Sequence, residues 1–72
     1  MPPKEEQIVE KIDLNTASRE ELMLIPSVGS HAADSIVRYR KVNGKFARLD
    51  ELKRVKGITD AMLARIGHYA KV

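Results

Sequence analysis

The sequence predicts an all-α fold of four to five short helices, laid out as helix, hairpin, helix, twice over. Three observations predict it. Sliding the chain against itself by thirty positions aligns Ala17 with Ala47, Glu21 with Glu51, Leu22 with Leu52, Ile36 with Ile66, Tyr39 with Tyr69, Lys41 with Lys71 and Val42 with Val72, seven identities over 26 positions. Helix caps and breakers fall at matched places in the two halves, and no segment alternates in the period-two manner of a strand. Finally, 72 residues hold only one core, because a chain this short buries about 60% of the surface its unfolded form exposes. Two units that cannot bury their apolar faces alone must therefore pack against each other.

Taken in order, residues 1–11 carry no caps and no strong apolar face, and Pro2-Pro3 followed by charges predicts a flexible tail or linker remnant. The repeated domain is placed at 12–72, with its first motif over about 18–43 and its second over about 48–72. Ile12 to Leu14 predicts a short extended lead-in. Ser18 and Glu21 have the spacing of a capping box, so the first helix starts there, and Pro26 stops it near Ile25. Ser27-Val28-Gly29 then predicts a tight connection in which Gly29 tolerates positive φ, with Ser30 capping a second helix that aligns Ala32, Ala33, Ile36 and Val37. Asn43-Gly44 ends that helix. In the second unit a helix near Leu49 to Val55 meets Lys56-Gly57-Ile58-Thr59, and Thr59 caps a last helix whose Met62, Leu63 and Ile66 are core by spacing. Arg48 stands where Ser18 stands in the first unit, so the second box keeps its glutamate and loses its hydroxyl, at a cost of about 1 kcal/mol.

Composition excludes several functions. Without cysteine there is neither a disulfide nor a thiolate metal site, and His31 and His68 lie too far apart for a zinc motif, so no metal or other cofactor is expected. There is no cysteine nucleophile, Walker loop, carboxylate cluster with metal spacing, or serine with a base and orienter. This predicts a protein that is not an enzyme and takes no small-molecule substrate. The longest apolar run, Leu22 to Ile25, falls far short of the roughly 20 residues that span a bilayer, and no signal-peptide stretch opens the sequence. A soluble segment without membrane contact of its own is expected. Charge is lopsided: residues 1–35 hold three basic and seven acidic residues, net −4, whereas residues 36–72 hold ten basic and three acidic, net +7. The second half is thus a candidate for binding a polyanion.

The hairpins supply the chemistry. A connection between two short helices leaves the first amides of the following helix without intrahelical partners, and the helix dipole there favours an anion. A glycine lets a phosphate approach such a backbone closely. Two cradles related by an approximate two-fold axis suit the two strands of a duplex. The candidate binding residues are Ser27, Val28, Gly29, Ser30 and His31 at hairpin one, and Lys53, Lys56, Gly57, Ile58 and Thr59 at hairpin two. By position, Arg38, Arg40 and Lys41 fall toward the far end of the second helix, away from the cradle. Tyr39, Tyr69 and Phe46 are read as core or cap-packing residues, which weakens a single-strand reading.

Asp13-Leu14-Asn15-Thr16-Ala17, Glu20-Glu21-Leu22, Ile25-Pro26-Ser27-Val28-Gly29, Tyr39-Arg40, Asn43-Gly44-Lys45-Phe46 and Val55-Lys56-Gly57-Ile58 together resemble the helix-hairpin-helix domain of the ComEA-type competence DNA receptors, from about Lys11 to Val72. The resemblance implies a tandem helix-hairpin-helix, or (HhH)2, domain of the SAM-like class. It also implies double-stranded DNA binding through phosphates with little sequence preference, in DNA uptake during competence and transformation, at an extracytoplasmic site such as the bacterial periplasm or cell envelope. Both hairpins depart from that family's Gly-hydrophobic-Gly pattern, with Ser27 for the first glycine of one and Thr59 for the second glycine of the other. Because Thr59 resists positive φ, hairpin two is expected to deviate more from the usual backbone. Ser30 and His31 replace a proline and lysine, so a fixed cation gives way to one whose charge varies with pH. A monomer in isolation is expected. The alternative function is a small helical protein–protein interaction module presenting its acidic first half or its tyrosines.

Overall fold

In the computed structural model, which describes residues 11–72, the expected tail lies outside the described residues except for Lys11, which is exposed. The Ser18 hydroxyl accepts a hydrogen bond from the Glu21 amide at 3.1 Å, and the Glu21 carboxylate accepts one from the Ser18 amide at 3.0 Å. This closed box starts α1 (Arg19–Leu22). The chain then tightens: the amides of Leu24 and Ile25 bond the carbonyls of Glu21 and Leu22, each at 3.1 Å. Next, the Val28 amide bonds the Ile25 carbonyl at 3.0 Å, with Ser27 at φ 78°. That is the pattern of a type II turn, in which proline is common at the second position and the third takes positive φ.

The positive φ therefore belongs to Ser27 and not, as the sequence suggested, to Gly29. Gly29 is extended (φ −94°, ψ −170°) and is itself the N-cap of α2 (Ser30–Asn43). Ser30 is already helical, since the first bond runs from the Ala33 amide to the Gly29 carbonyl at 2.9 Å. Gly44 ends α2 as expected, at φ 86° and ψ −168°, a region that side chains other than glycine's rarely adopt.

The second unit repeats the plan with substitutions. Its first helix is a 3-10 helix (Leu49–Arg54) rather than the α-helix implied by analogy. Arg48 has no capping side chain, and the Glu51 carboxylate instead accepts from the Ala47 amide at 3.0 Å, one residue upstream of the cap. Hairpin two does not deviate in the way anticipated. The Ile58 amide bonds the Val55 carbonyl at 3.2 Å and Gly57 takes φ 90°, matching Ser27 thirty residues earlier. Thr59 sits at φ −90° and ψ 166°, close to Gly29, so no positive φ is asked of it. Its hydroxyl accepts from the Met62 amide at 3.2 Å and caps α3 (Asp60–Ile66).

After Ile66 the repeat loses its structural meaning. Tyr39 and Lys41 lie in α2, but Tyr69 lies in a turn and Lys71 in β2 (Ala70–Lys71), which pairs in parallel with β1 (Ile12–Asp13). The Ile12 amide bonds the Tyr69 carbonyl at 2.8 Å and the Leu14 amide bonds the Lys71 carbonyl at 2.9 Å. The expected lead-in is thus half of a two-stranded ribbon joining both ends of the domain.

Four repeat-related pairs form the centre of the core: Leu22 with Leu52, Ile25 with Val55, Val28 with Ile58, and Ile36 with Ile66, all buried together with Leu14 and Phe46. Met62 and Leu63 are partly buried at its edge. Among the described residues no polar or charged side chain is buried. Tyr39 stacks on Phe46 with ring centroids 4.9 Å apart.

One polar side chain ties the two units. The Asn15 amide donates to the Phe46 carbonyl at 3.1 Å and accepts from the Phe46 amide at 2.7 Å, across 31 residues. Arg40 donates to the Leu14 carbonyl at 2.8 Å beside it. Asn15→Ala removes both bonds and leaves a half-buried peptide unit unpaired, so it should cost about 2 kcal/mol. In a domain of this size that lowers the melting temperature by about 10 °C, measurable by circular dichroism. Ser27→Gly should do the opposite, raising it by a few degrees. It removes about 1 kcal/mol of left-handed strain, partly offset by the entropy glycine adds to the unfolded chain.

Candidate functional site

The two turns place their outer faces around one open concavity. Its first wall is Ser27, Gly29 and Ser30 with His31 from the first turn of α2, and its second is Lys56 and Gly57 with Met62 from α3. Ser35 and Arg38 continue the first wall along α2. Of the residues singled out in the sequence, Ser27, Gly29, Ser30, His31, Lys56 and Gly57 therefore meet. Val28 and Ile58 do not face this space: their side chains are in the core and their amides are held by Ile25 and Val55. They anchor the hairpins rather than line the surface. Thr59 is exposed, with its hydroxyl engaged in the α3 cap. Lys53 lies in a separate hollow with Arg48, Asp50, Glu51 and Arg54.

Arg38 corrects the sequence reading, which set it away from the cradle. Positions 31, 35 and 38 share one face of a 3.6-residue helix, and that periodicity was the signal available. Helical side chains also lean toward the N-terminus, which brings Arg38 toward the hairpin. The other two basic residues behave differently: Arg40 is committed to the Leu14 carbonyl, and Lys41 is exposed and lines none of these hollows.

The hairpins share a backbone but differ in what they would offer an anion. The amides of Ser30, His31 and Ala32 precede the first intrahelical bond of α2, and no side chain caps them. No acidic residue occupies that first turn, and a β-carbon built on Gly29 would meet nothing within 4 Å. The positive end of a 14-residue helix is thereby left open to solvent. At hairpin two, by contrast, Thr59 puts a side chain where Gly29 has none and takes the Met62 amide, and Asp60 brings a carboxylate into the first turn. The nearest acid to His31 on α2, Asp34, is paired with Arg19 of α1. Hairpin one is therefore the more open of the two first turns. Among the described residues no group of His, Asp and Glu is placed to hold a metal ion, and no helix is long and apolar enough to cross a membrane.

Known proteins are similar to the chain over much of its length. At 39% identity over 57 residues the chain matches Endonuclease/exonuclease/phosphatase family domain-containing protein 1 of Xenopus laevis, covering 79% of this chain and 10% of that protein. It matches ComE operon protein 1 of Bacillus subtilis (strain 168) at 36% over 55 residues, covering 76% and 27% respectively, and Kinesin-like protein KIF22 of Danio rerio at 35% over 46 residues, covering 64% and 7%. The chain thus spans only a small part of the length of these relatives. The helix-hairpin-helix motif profile, however, matches residues 7–70, nearly the whole sequence, and with two such hairpins on a shared core the chain belongs to the helix-hairpin-helix family.

Proposed function

We propose that this chain is a non-enzymatic module that binds double-stranded DNA with little sequence preference. The observation that carries the reading is the uncapped, acid-free first turn of α2 opening into a concavity whose far wall is the other hairpin, with Lys56 and Arg38 beside it. A phosphate can take the α2 amides there, and the basic second half, net +7, supplies long-range attraction. The likeness to ComE operon protein 1 supports a finer reading: capture of DNA during uptake in competence and transformation, at the cell envelope. Loss of the gene should then lower uptake of labelled duplex DNA by the source cell.

Binding to unrelated 20-mer duplexes should be of similar strength. With three or four phosphates neutralised, log K should fall against log[salt] with a slope of about −3. Absence of binding at low salt, beside capture of a protein partner, would favour the interaction-module alternative. Gly29→Val separates amide cradle from bulk charge. The position is extended and its β-carbon direction is empty, so the variant should fold, as a circular dichroism melt will report. Its side chain would occupy the space a phosphate needs, weakening DNA binding by about tenfold, or ~1.4 kcal/mol.

A further inference from the structure

Three hollows adjoin on the face of α2. The hairpin concavity contains Ser35, Arg38 and Lys56; a groove beside it contains the same three residues with Tyr39, Val42 and Arg54; and a third hollow runs from His31 through Asp34 and Ser35 to Arg38. Arg38 borders all three. It is exposed and has no ion-pair partner among the described residues. Lys56 faces it from the other repeat, at the second position of the hairpin-two turn. Eight residues separate Ser30 from Arg38, or about 12 Å along the helix, and DNA rises about 3.4 Å per step of one strand. A strand whose phosphate rests on the α2 amides therefore has further phosphates within reach of a guanidinium on the same helix face.

We propose that Arg38 and Lys56, one from each repeat, form a cationic clamp that takes a second phosphate and steers the strand from the hairpins into the groove toward Arg54. This rests on the DNA-binding reading above. The clamp makes the two repeats a joint site rather than two independent cradles, and its groove floor of Tyr39 and Val42, the latter 75% exposed, gives sugar edges an apolar surface.

The test compares three variants of the full chain on one 20-mer duplex across a salt series. Arg38→Ala should weaken binding about fivefold and reduce the magnitude of the log K against log[salt] slope by about 0.9, one phosphate contact. Arg38→Lys should retain the slope, which also shows that the position tolerates change. Lys41→Ala, which removes the same charge from the same helix outside these hollows, should leave the slope near that of the unmodified chain. Arg38→Ala with an unaltered slope, or a loss equal to that of Lys41→Ala, would overturn the clamp while leaving DNA binding intact. Failure of the unmodified chain to bind DNA at low salt would instead overturn the functional reading itself, and the clamp with it.

Discussion

The domain depends on the side chain of Asn15 standing in for a strand. By donating to and accepting from the Phe46 peptide unit, it reproduces the paired hydrogen bonds of an antiparallel bridge between the segment that opens the first motif and the one that joins the motifs. The local elements need such a closure, because α1 has four residues and the 3-10 helix six, lengths at which helices have no independent stability in water. Their apolar residues, Leu22 and Leu52 above all, persist as helical only when held against a common core. Arg40 on Leu14, Phe46 under Tyr39 and the β1–β2 pairing all converge on the same region. The end of the domain opposite the hairpins is the locked one.

With that end fixed, the hairpins are set by two turns of one type built from different residues. Pro26-Ser27 and Lys56-Gly57 both place positive φ at the third turn position, and both are followed by a buried aliphatic residue and an extended N-cap. Glycine and a hydroxyl residue have exchanged places between the repeats. In the first unit Pro26 fixes the turn, Ser27 tolerates the strain, and glycine occupies the cap. In the second, glycine relieves the strain and threonine caps the helix. The backbone is thus preserved by reciprocal choices, while the surface offered to an anion is not.

Features set by neighbours in the chain were legible in the sequence. The Ser18–Glu21 box, the Thr59 cap, the stop at Gly44 and the repeated Leu22–Leu52 and Ile36–Ile66 pairs each depend on spacing within one element or on the thirty-residue period. Glycine's freedom points to Gly29 for the left-handed position, two residues beyond Ser27, which takes it. Pro26 fits the second position of a turn as well as a helix stop, which leaves the third position to Ser27. Arg38 is remote when distance is counted along α2 and near the hairpin when turns are counted around it. The 3-10 form of the third helix, the Asn15–Phe46 bridge and the β1–β2 ribbon were not legible, since each depends on partners brought together only by the tertiary fold. Residues such as Tyr69 and Lys71 even mislead, matching Tyr39 and Lys41 in identity while adopting another conformation.

On the proposed DNA-binding reading, the locked end and the divergent hairpins together would let a shallow surface hold a polymer. A single helix N-terminus contributes only about 0.3–1 kcal/mol toward an anion at an exposed position. Useful affinity at such a surface comes from several weak contacts whose relative positions are fixed in advance, so that little ordering is lost on binding. Here the fixing is done by Asn15, Phe46 and the shared core, into which Val28 and Ile58 anchor both hairpins. The shared core places hairpin one, Arg38 and Lys56 around one concavity, so on that reading the second hairpin can give up its open cap to Thr59 and still form one wall of it.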